Sequence, residues 1–401
     1  MKSKILVTFL SRFGSAAAGF YIAILLSQFL GAEGKGQASL LILNISFINL
    51  LTNVMGGAAL VYLVPRFHTF TLFLVSYIWV PLLALAIGLV YYLTGFNVQG
   101  FDIHTILLAI ILGWFHTNTN MLLGKQKTHT YNILTVIQVF ITLLYLLFAF
   151  YGQQIAPHSY SQYVTALYAG YGLSFVASLF FTLKEIDTRF EVSELKEILR
   201  RFIRHGGFIQ LANLGQLLIY RTSFYIIGYY HNLKALGIYS NAIALAESIW
   251  IVSRSIATIQ YAEIAIEKDI NVSKQKTIKL RKTNVLIAIG LAAIICILPD
   301  TFYTFLFGRD FKGLQQIIWY LAPGIIAFAY ANITTHFFSG IGKNHYNTII
   351  SFAGFGVTAI VGFILIPIYS GIGAAITASI VYIFTAVLAN YMFIKTNKIQ
   401  H

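Results

Sequence analysis

Apolar stretches about as long as a bilayer is thick recur from one end of this 401-residue chain to the other. A helix rises about 1.5 Å per residue, so crossing a hydrocarbon core of about 30 Å takes about 20 apolar residues. Twelve such stretches are predicted, at 5–30, 38–64, 70–93, 103–123, 131–151, 161–183, 206–230, 235–263, 284–307, 315–340, 346–368 and 372–394. A transmembrane barrel would instead show strands of about ten residues alternating apolar and polar, and the sequence carries no such pattern. Composition agrees: 58% of residues are hydrophobic and only 10% are charged, where soluble proteins carry about 25% charge. The expected fold is an all-α polytopic membrane protein of about twelve transmembrane helices. The N-terminal run imitates a secretory signal, with Lys2 and Lys4 ahead of apolar residues and Ala16-Ala17-Ala18 behind. The run continues past Ser11-Arg12 to Leu30, however, so it reads as an uncleaved first span.

The net charge of +14 would suggest nucleic acid in a soluble protein, but its distribution points to a membrane surface. With the N-terminus placed in the cytoplasm, 20 of the 27 Lys and Arg residues fall on the cytoplasmic face, six of them in 184–205 and six in 264–283. Four fall on the opposite face: Lys35, Lys234, Arg309 and Lys312. Arg12, Arg221 and Arg254 lie inside spans. This asymmetry follows the positive-inside rule, puts both termini in the cytoplasm and sets the basic face against anionic lipid. No nucleic-acid partner is expected.

The charged segment KEIDTRFEVSELKEILRRFIRH reads as an amphipathic helix along the inner membrane surface. It divides the chain into a six-helix bundle over 1–183, a cytoplasmic linker over 184–205 and a second six-helix bundle over 206–401. A second cytoplasmic loop is expected from Glu263 to Lys282. LGAEGKGQASLLI, between spans one and two, echoes NLKALGIYSNAIAL, between spans seven and eight. Aligning Gly36 with Gly237 also aligns Ser39 with Ser240, an offset of 201 residues. An even number of spans per half makes the repeat parallel, with a central cavity expected between the bundles.

An ionisable group in a span costs about 2.5–3.5 kcal/mol on insertion scales, so each asks for a reason. On span eight, Ser240, Glu247, Arg254, Thr258 and Tyr261 share one helix face. Gln210, Asn213, Tyr220 and Arg221 share a face of span seven, and Ser46, Asn49 and Asn53 follow helical spacing on span two. Thr8, Ser11, Arg12, Ser15 and Gly19 make a similar stripe on span one. Arg221 and Glu247 lie at similar depths on antiparallel neighbours and are expected to pair. That pair is either purely structural or one that a phosphate or a proton can open. Arg12 and Arg254 either snorkel to the interface or form an anion funnel. Three arginines against one glutamate favour an anionic ligand, and guanidinium binds phosphate through a planar fork. The substrate-binding candidates are therefore Arg12, Arg221, Arg254, Glu247, Gln210, Asn213, Tyr220, Asn49 and Asn53. His116, Asn118 and Asn120 on span four and His336 on span ten are weaker candidates, and Pro81 and Pro323 are expected to kink their helices.

Enzyme motifs are missing. There is no phosphate-binding Gly-x4-Gly-Lys-Ser/Thr loop, and the ten histidines and the single Cys296 lack metal-ligand spacing. No catalytic residue, metal or cofactor is expected.

FLGAEGKGQASLLI, YRTSFYIIGYYHNLKALGIYSNAIALAESIW, FLFGRDFKGLQQIIWYLAPG and FSGIGKNHYNTIISFAGFGVTAIVGFILIPIYSGIGAAITASI together resemble polysaccharide (O-antigen type) flippases of the multidrug/oligosaccharidyl-lipid/polysaccharide exporter superfamily. The resemblance implies a bilobed transporter of the bacterial cytoplasmic membrane that flips undecaprenyl-diphosphate-linked oligosaccharides by alternating access. Coupling would be to protons, Na+ or the membrane potential. Membrane lipids and polysaccharide assembly proteins are the other implied partners. The family's basic cavity carries over to Arg221, in YRTSFY, and to Glu247, in LAESIW. An acidic residue frequent two positions after that arginine is replaced here by Ser223. Twelve spans rather than fourteen point away from the lipid II branch. A cation-coupled drug or metabolite antiporter is the alternative, and it would favour a carboxylate-lined cavity. A membrane glycan polymerase or ligase would need a large external loop, which the sequence lacks.

Overall fold

The structure, a computed structural model, describes residues 2–94, 101–152, 158–267 and 269–396. Within them the chain is helical, with no strand: α1 (Lys2–Thr52), α2 (Gly57–Leu63), α3 (Thr69–Thr94), α4 (Ile103–Gly124), α5 (Thr128–Leu147), α6 (Tyr160–Leu183), α7 (Leu195–Arg201), α8 (Gly207–Tyr230), α9 (Leu233–Ile266), α10 (Ile270–Ile297), α11 (Asp300–Phe307), α12 (Leu314–Gly340) and α13 (Asn344–Lys395). Among the described residues nine helices are long and apolar enough to cross a membrane. Two of the nine are broken inside, α1 at Gly31 (φ 66°) and α13 at Ser370 (φ 53°). The twelve expected spans map onto α1 (two), α3 to α6, α8, α9, α10, α12 and α13 (two). The protein is an all-α polytopic membrane protein.

Four local expectations need correcting. The predicted connection LGAEGKGQASLLI is not a loop: helix resumes directly after Gly31, which alone takes the left-handed backbone that glycine tolerates. The second span, expected over 38–64, stops at Thr52 and restarts at Gly57 after the single turn Asn53–Met55. The segment 184–205 is helical only from Val192 onward. Its first half runs across the surface because side chains offer its backbone other partners. The Asp187 N–H donates to the Thr69 hydroxyl (3.0 Å) and the Glu191 N–H to the Thr71 hydroxyl (3.0 Å), while the Asp187 carboxylate accepts from the Thr69 N–H (2.8 Å). Lastly, the expected loop Glu263–Lys282 is almost entirely helix, interrupted only around Glu267 and Asp269. The Asp269 side chain caps α10 by accepting from the Asn271 N–H at 2.8 Å. The ninth span accordingly begins earlier than expected, and it ends at Ile297 because Pro299 holds Leu298 in an extended conformation.

The chain divides into two compact units, one made of 1–30 and 37–214, the other of 31–36 and 215–401. The division falls inside α8 and assigns the six residues that begin at the α1 kink, 31–36, to the second unit.

In the first unit Leu25, Leu41, Ile48, Leu108, Phe115 and Leu146 form a buried core. Lipid tails are as apolar as these side chains, so close packing and hydrogen bonds must hold membrane helices together. Small residues do the first: a Cβ on Gly206 would sit 2.0 Å from the Val54 carbonyl oxygen. Polar bridges do the second: Asn118 accepts from the Tyr77 hydroxyl (2.7 Å) and donates to Ser178 (3.0 Å), tying α4 to α3 and α6.

The second unit uses the same devices. Asn284 of α10 donates to Ser253 (2.8 Å) and to the Ala329 carbonyl (2.7 Å), and Asn332 donates to Ser253 (3.1 Å). Pro323 removes one rung of the α12 ladder, and Ser379 of α13 enters the gap. Its hydroxyl accepts from the Gly324 N–H (3.1 Å) and donates to the Tyr320 carbonyl (2.6 Å). Arg281, expected on the cytoplasmic surface, is 8% exposed and donates to Tyr330 (2.7 Å) and Asn390 (3.1 Å).

The echo between the halves reappears as a contact inside the second unit. A Cβ on Gly36 would lie 1.9 Å from the Leu233 carbonyl oxygen, and one on Gly237 would lie 1.8 Å from the Ala32 carbonyl oxygen. Ala32 and Leu233 are themselves 201 positions apart. The repeated glycines therefore cross backbone to backbone in a reciprocal pattern that no larger residue permits.

Candidate functional site

A two-residue connection, His231-Asn232, joins α8 to α9, and the Asn232 side chain caps α9 by accepting from the Ala235 N–H at 2.8 Å. The helices therefore run antiparallel from a shared end. Arg221 is about 14 Å down α8 from that end and Glu247 about 21 Å down α9. Side chains lean toward the N-terminus of their own helix, so Arg221 reaches deeper and Glu247 reaches back. They meet, Nη2 donating to Oε1 at 2.8 Å, with side chains 28% and 35% exposed. A buried pair would be shielded from any ligand, whereas this one is partly open.

Lys35, expected on the outer face, belongs to this cluster. It is 8% exposed, and both Arg221 and Glu247 act on its ammonium electrostatically. The α1 kink brings it there. Asp310 holds the kink, accepting from the Ala32 N–H at 3.4 Å while pairing with Lys234 at 3.4 Å. The Gly36–Gly237 crossing presses the same stretch of α1 against α9. The sequence signal was a lysine between Gly34 and Gly36, where small neighbours let a helix approach closely.

Aromatic rings surround the charges. Tyr220 packs against Trp250, Phe328 and Tyr382, with centroids 6.0, 6.2 and 6.1 Å away. Gln216 donates to the Tyr220 hydroxyl at 2.9 Å. Arg254 is exposed, 5.9 Å from the centre of the Phe328 ring, and its charge acts on Tyr220. Trp250 is 1% exposed, and its indole N–H has no hydrogen-bond partner among the described residues. The second unit thus holds the Arg221–Glu247 pair together with Lys35 and Arg254, three cations to one carboxylate, a net charge of +2.

The other predicted substrate-binding residues fall in the first unit. Asn53 donates to the Asn49 carbonyl (2.7 Å), Gln210 donates to the Asn53 carbonyl (3.4 Å) and Asn213 donates to Gln210 (3.1 Å). Asn49 is buried and donates to the Ile45 carbonyl at 3.0 Å, with its side-chain oxygen beside Gly113. Asn213 is exposed. Arg12 lies in α1, and its side chain lies outside the described residues. In the second unit His336 lies against the Asn332 carbonyl at 2.8 Å, a helix-internal contact. No group of three or more metal-ligating side chains occurs among the described residues.

No protein-family model matches the sequence, and no curated protein matches it. Solved structures do share the fold. The lipid II flippase MurJ, in an inward closed conformation, superposes with a TM-score of 0.77 at 14% identity, covering 98% of this chain and 88% of its own. An inward-facing multidrug resistance MATE family transporter of the MOP superfamily gives 0.71 at 15% identity, covering 94% and 93%. A point mutant of the Vibrio cholerae MATE transporter VcmN gives 0.62 at 11% identity, covering 98% and 96%. The span count pointed away from the lipid II branch, yet the lipid II flippase shares the fold over almost the whole chain. The protein shares its fold with these solved transporters.

Proposed function

We propose that this protein is a transporter that moves lipid-linked oligosaccharide diphosphates across the bacterial cytoplasmic membrane by alternating access, without enzymatic activity. The observation that supports this reading is the partly open Arg221–Glu247 pair, which shares its unit with Lys35 and Arg254, so that the net positive charge suits an anion. A guanidinium presents parallel N–H groups that match phosphate oxygens, and partial burial strengthens each such bond. A second reading, a cation-coupled drug antiporter, is favoured by the fold likeness to MATE transporters and by the carboxylate of Glu247. The test is to delete the gene and look for lipid-linked repeat units on the cytoplasmic leaflet. The expected result is their accumulation, relieved by the wild-type gene and not by Arg221→Ala. Normal surface glycan together with new drug sensitivity would establish the second reading instead.

A further inference from the structure

We propose that Arg281 holds the phosphate of an anionic phospholipid in a groove between α10 and α13, on the basic side of the membrane. The site shares no residue with the Arg221–Glu247 pair and does not depend on what is transported. α10 and α13 each pack along α12 and make little contact with each other, so α12 floors a groove between them. Arg281 reaches across it. Its Nη1 donates to the Tyr330 hydroxyl on α12 (2.7 Å) and to the side-chain oxygen of Asn390 on α13 (3.1 Å). The guanidinium carbon lies 4.6 Å from the centre of the Tyr330 ring and 4.4 Å from that of Phe393. Both hydrogen bonds come from one nitrogen. Nε and Nη2 donate to no group among the described residues, and no carboxylate there pairs with Arg281. Side by side, Nε–H and Nη2–H form the edge of the guanidinium that takes two oxygens of one phosphate in parallel. Arg281 is 8% exposed, and a charge so far out of water is costly without a counter-ion. The fold supplies neutral acceptors and aromatic faces, so the missing partner is an anion. Its place on α10 selects which one. Lys274, Lys276, Lys279, Arg281 and Lys282 lie in the first half of the helix, and from Thr283 to Ile297 no residue is charged. Hydrocarbon therefore begins just past Arg281, which sets the guanidinium at the level of lipid phosphates. Lys274, two turns earlier on the same face, donates to the Ile394 carbonyl (3.5 Å) and lies 5.6 Å from the Phe393 ring centre, a second cation beside the same groove.

The test is native mass spectrometry of the full-length protein released from micelles holding equal amounts of phosphatidylglycerol and phosphatidylcholine. The wild type is expected to retain phosphatidylglycerol in preference to phosphatidylcholine, and Arg281→Met to lower that occupancy about tenfold. Tyr330 donates to Asn390 at 2.6 Å without help from Arg281, so the tie between α12 and α13 survives in this variant. Arg281→Lys keeps the charge and gives up the planar fork. Its expected loss of about threefold keeps the test decisive should Arg281→Met not fold. Lys279→Met removes an exposed cation from the same helix and should change occupancy by less than about twofold. Inorganic phosphate in large excess should leave the bound lipid in place. Equal occupancy in the wild type and both Arg281 variants overturns the proposal. So does an equal loss from Lys279→Met, which would mean diffuse surface charge rather than a site. Displacement of the lipid by inorganic phosphate would overturn the phospholipid as the occupant.

Discussion

Exchanging the charges of Arg221 and Glu247 separates an ion pair that holds two helices from one that faces a ligand. At 2.8 Å and an effective dielectric constant of about 20, the gross attraction is about 6 kcal/mol. Side chains 28% and 35% exposed keep part of their hydration, and desolvation offsets most of the remainder. The net coupling should be about 1–3 kcal/mol. Arg221→Glu alone sets two carboxylates against each other and leaves Glu247 without its guanidinium. A loss of about 2–4 kcal/mol is expected, seen as a lower unfolding temperature in detergent. Combining it with Glu247→Arg restores opposite charges in the same place, and at least half of the lost stability should return. Transport behaves differently under the proposed function, because the guanidinium now projects from α9 and the carboxylate from α8. Surface glycan in a complemented deletion strain should therefore remain absent in the double variant. Full recovery of transport alongside stability would refute the reasoning and make the pair structural.

The reciprocal glycine crossing makes a sharper stability prediction. Gly36→Ala and Gly237→Ala each place a methyl group less than 2 Å from a carbonyl oxygen, so the backbones must separate. Each should cost about 1–3 kcal/mol, whereas Gly14→Ala and Gly19→Ala, with nothing within 4 Å of the added methyl, should be neutral or slightly stabilising by thermal unfolding. For Asp187, burial alone would raise the carboxyl, but hydrogen bonds from the Thr69 hydroxyl and the N–H groups of Thr69, Arg189 and Phe70 outweigh it and hold the group below its ordinary range. A depressed folded value means that its contribution is present above the ordinary carboxylate range and is lost as pH falls through the lower folded value. Protection of the amides across 185–191, taken as the intrinsic exchange rate at each pH divided by the observed rate, should therefore fall on acidification in the wild type, and Asp187→Asn should show low protection already at neutral pH. Protection that is equal in both and does not change with pH would contradict the assignment.

The membrane class, the helical fold and the approximate place of each span follow from the sequence alone. Only runs of about twenty apolar residues satisfy both the backbone and the bilayer, and that requirement is written residue by residue. The pairing of Arg221 with Glu247 was legible for the same reason: a short connection and a 3.6-residue period fix which faces of neighbouring helices can meet. The repeat offset likewise picked out Gly36 and Gly237. That the two glycines press against each other is a fact of tertiary structure, because spacing says that residues correspond and never that they touch. Lys35 looked like an outer-surface charge, and only the kink at Gly31 and the close approach allowed by Gly36 carry it into a cluster nearly two hundred residues away in the chain. Arg281 shows the same limit, since a lysine-rich stretch reads as a solvated loop until Tyr330 and Asn390 arrive from other helices to receive its guanidinium. Local pattern decides what each segment becomes. Which charges end up sharing a site depends on contacts between distant segments, and that information resides in the packing.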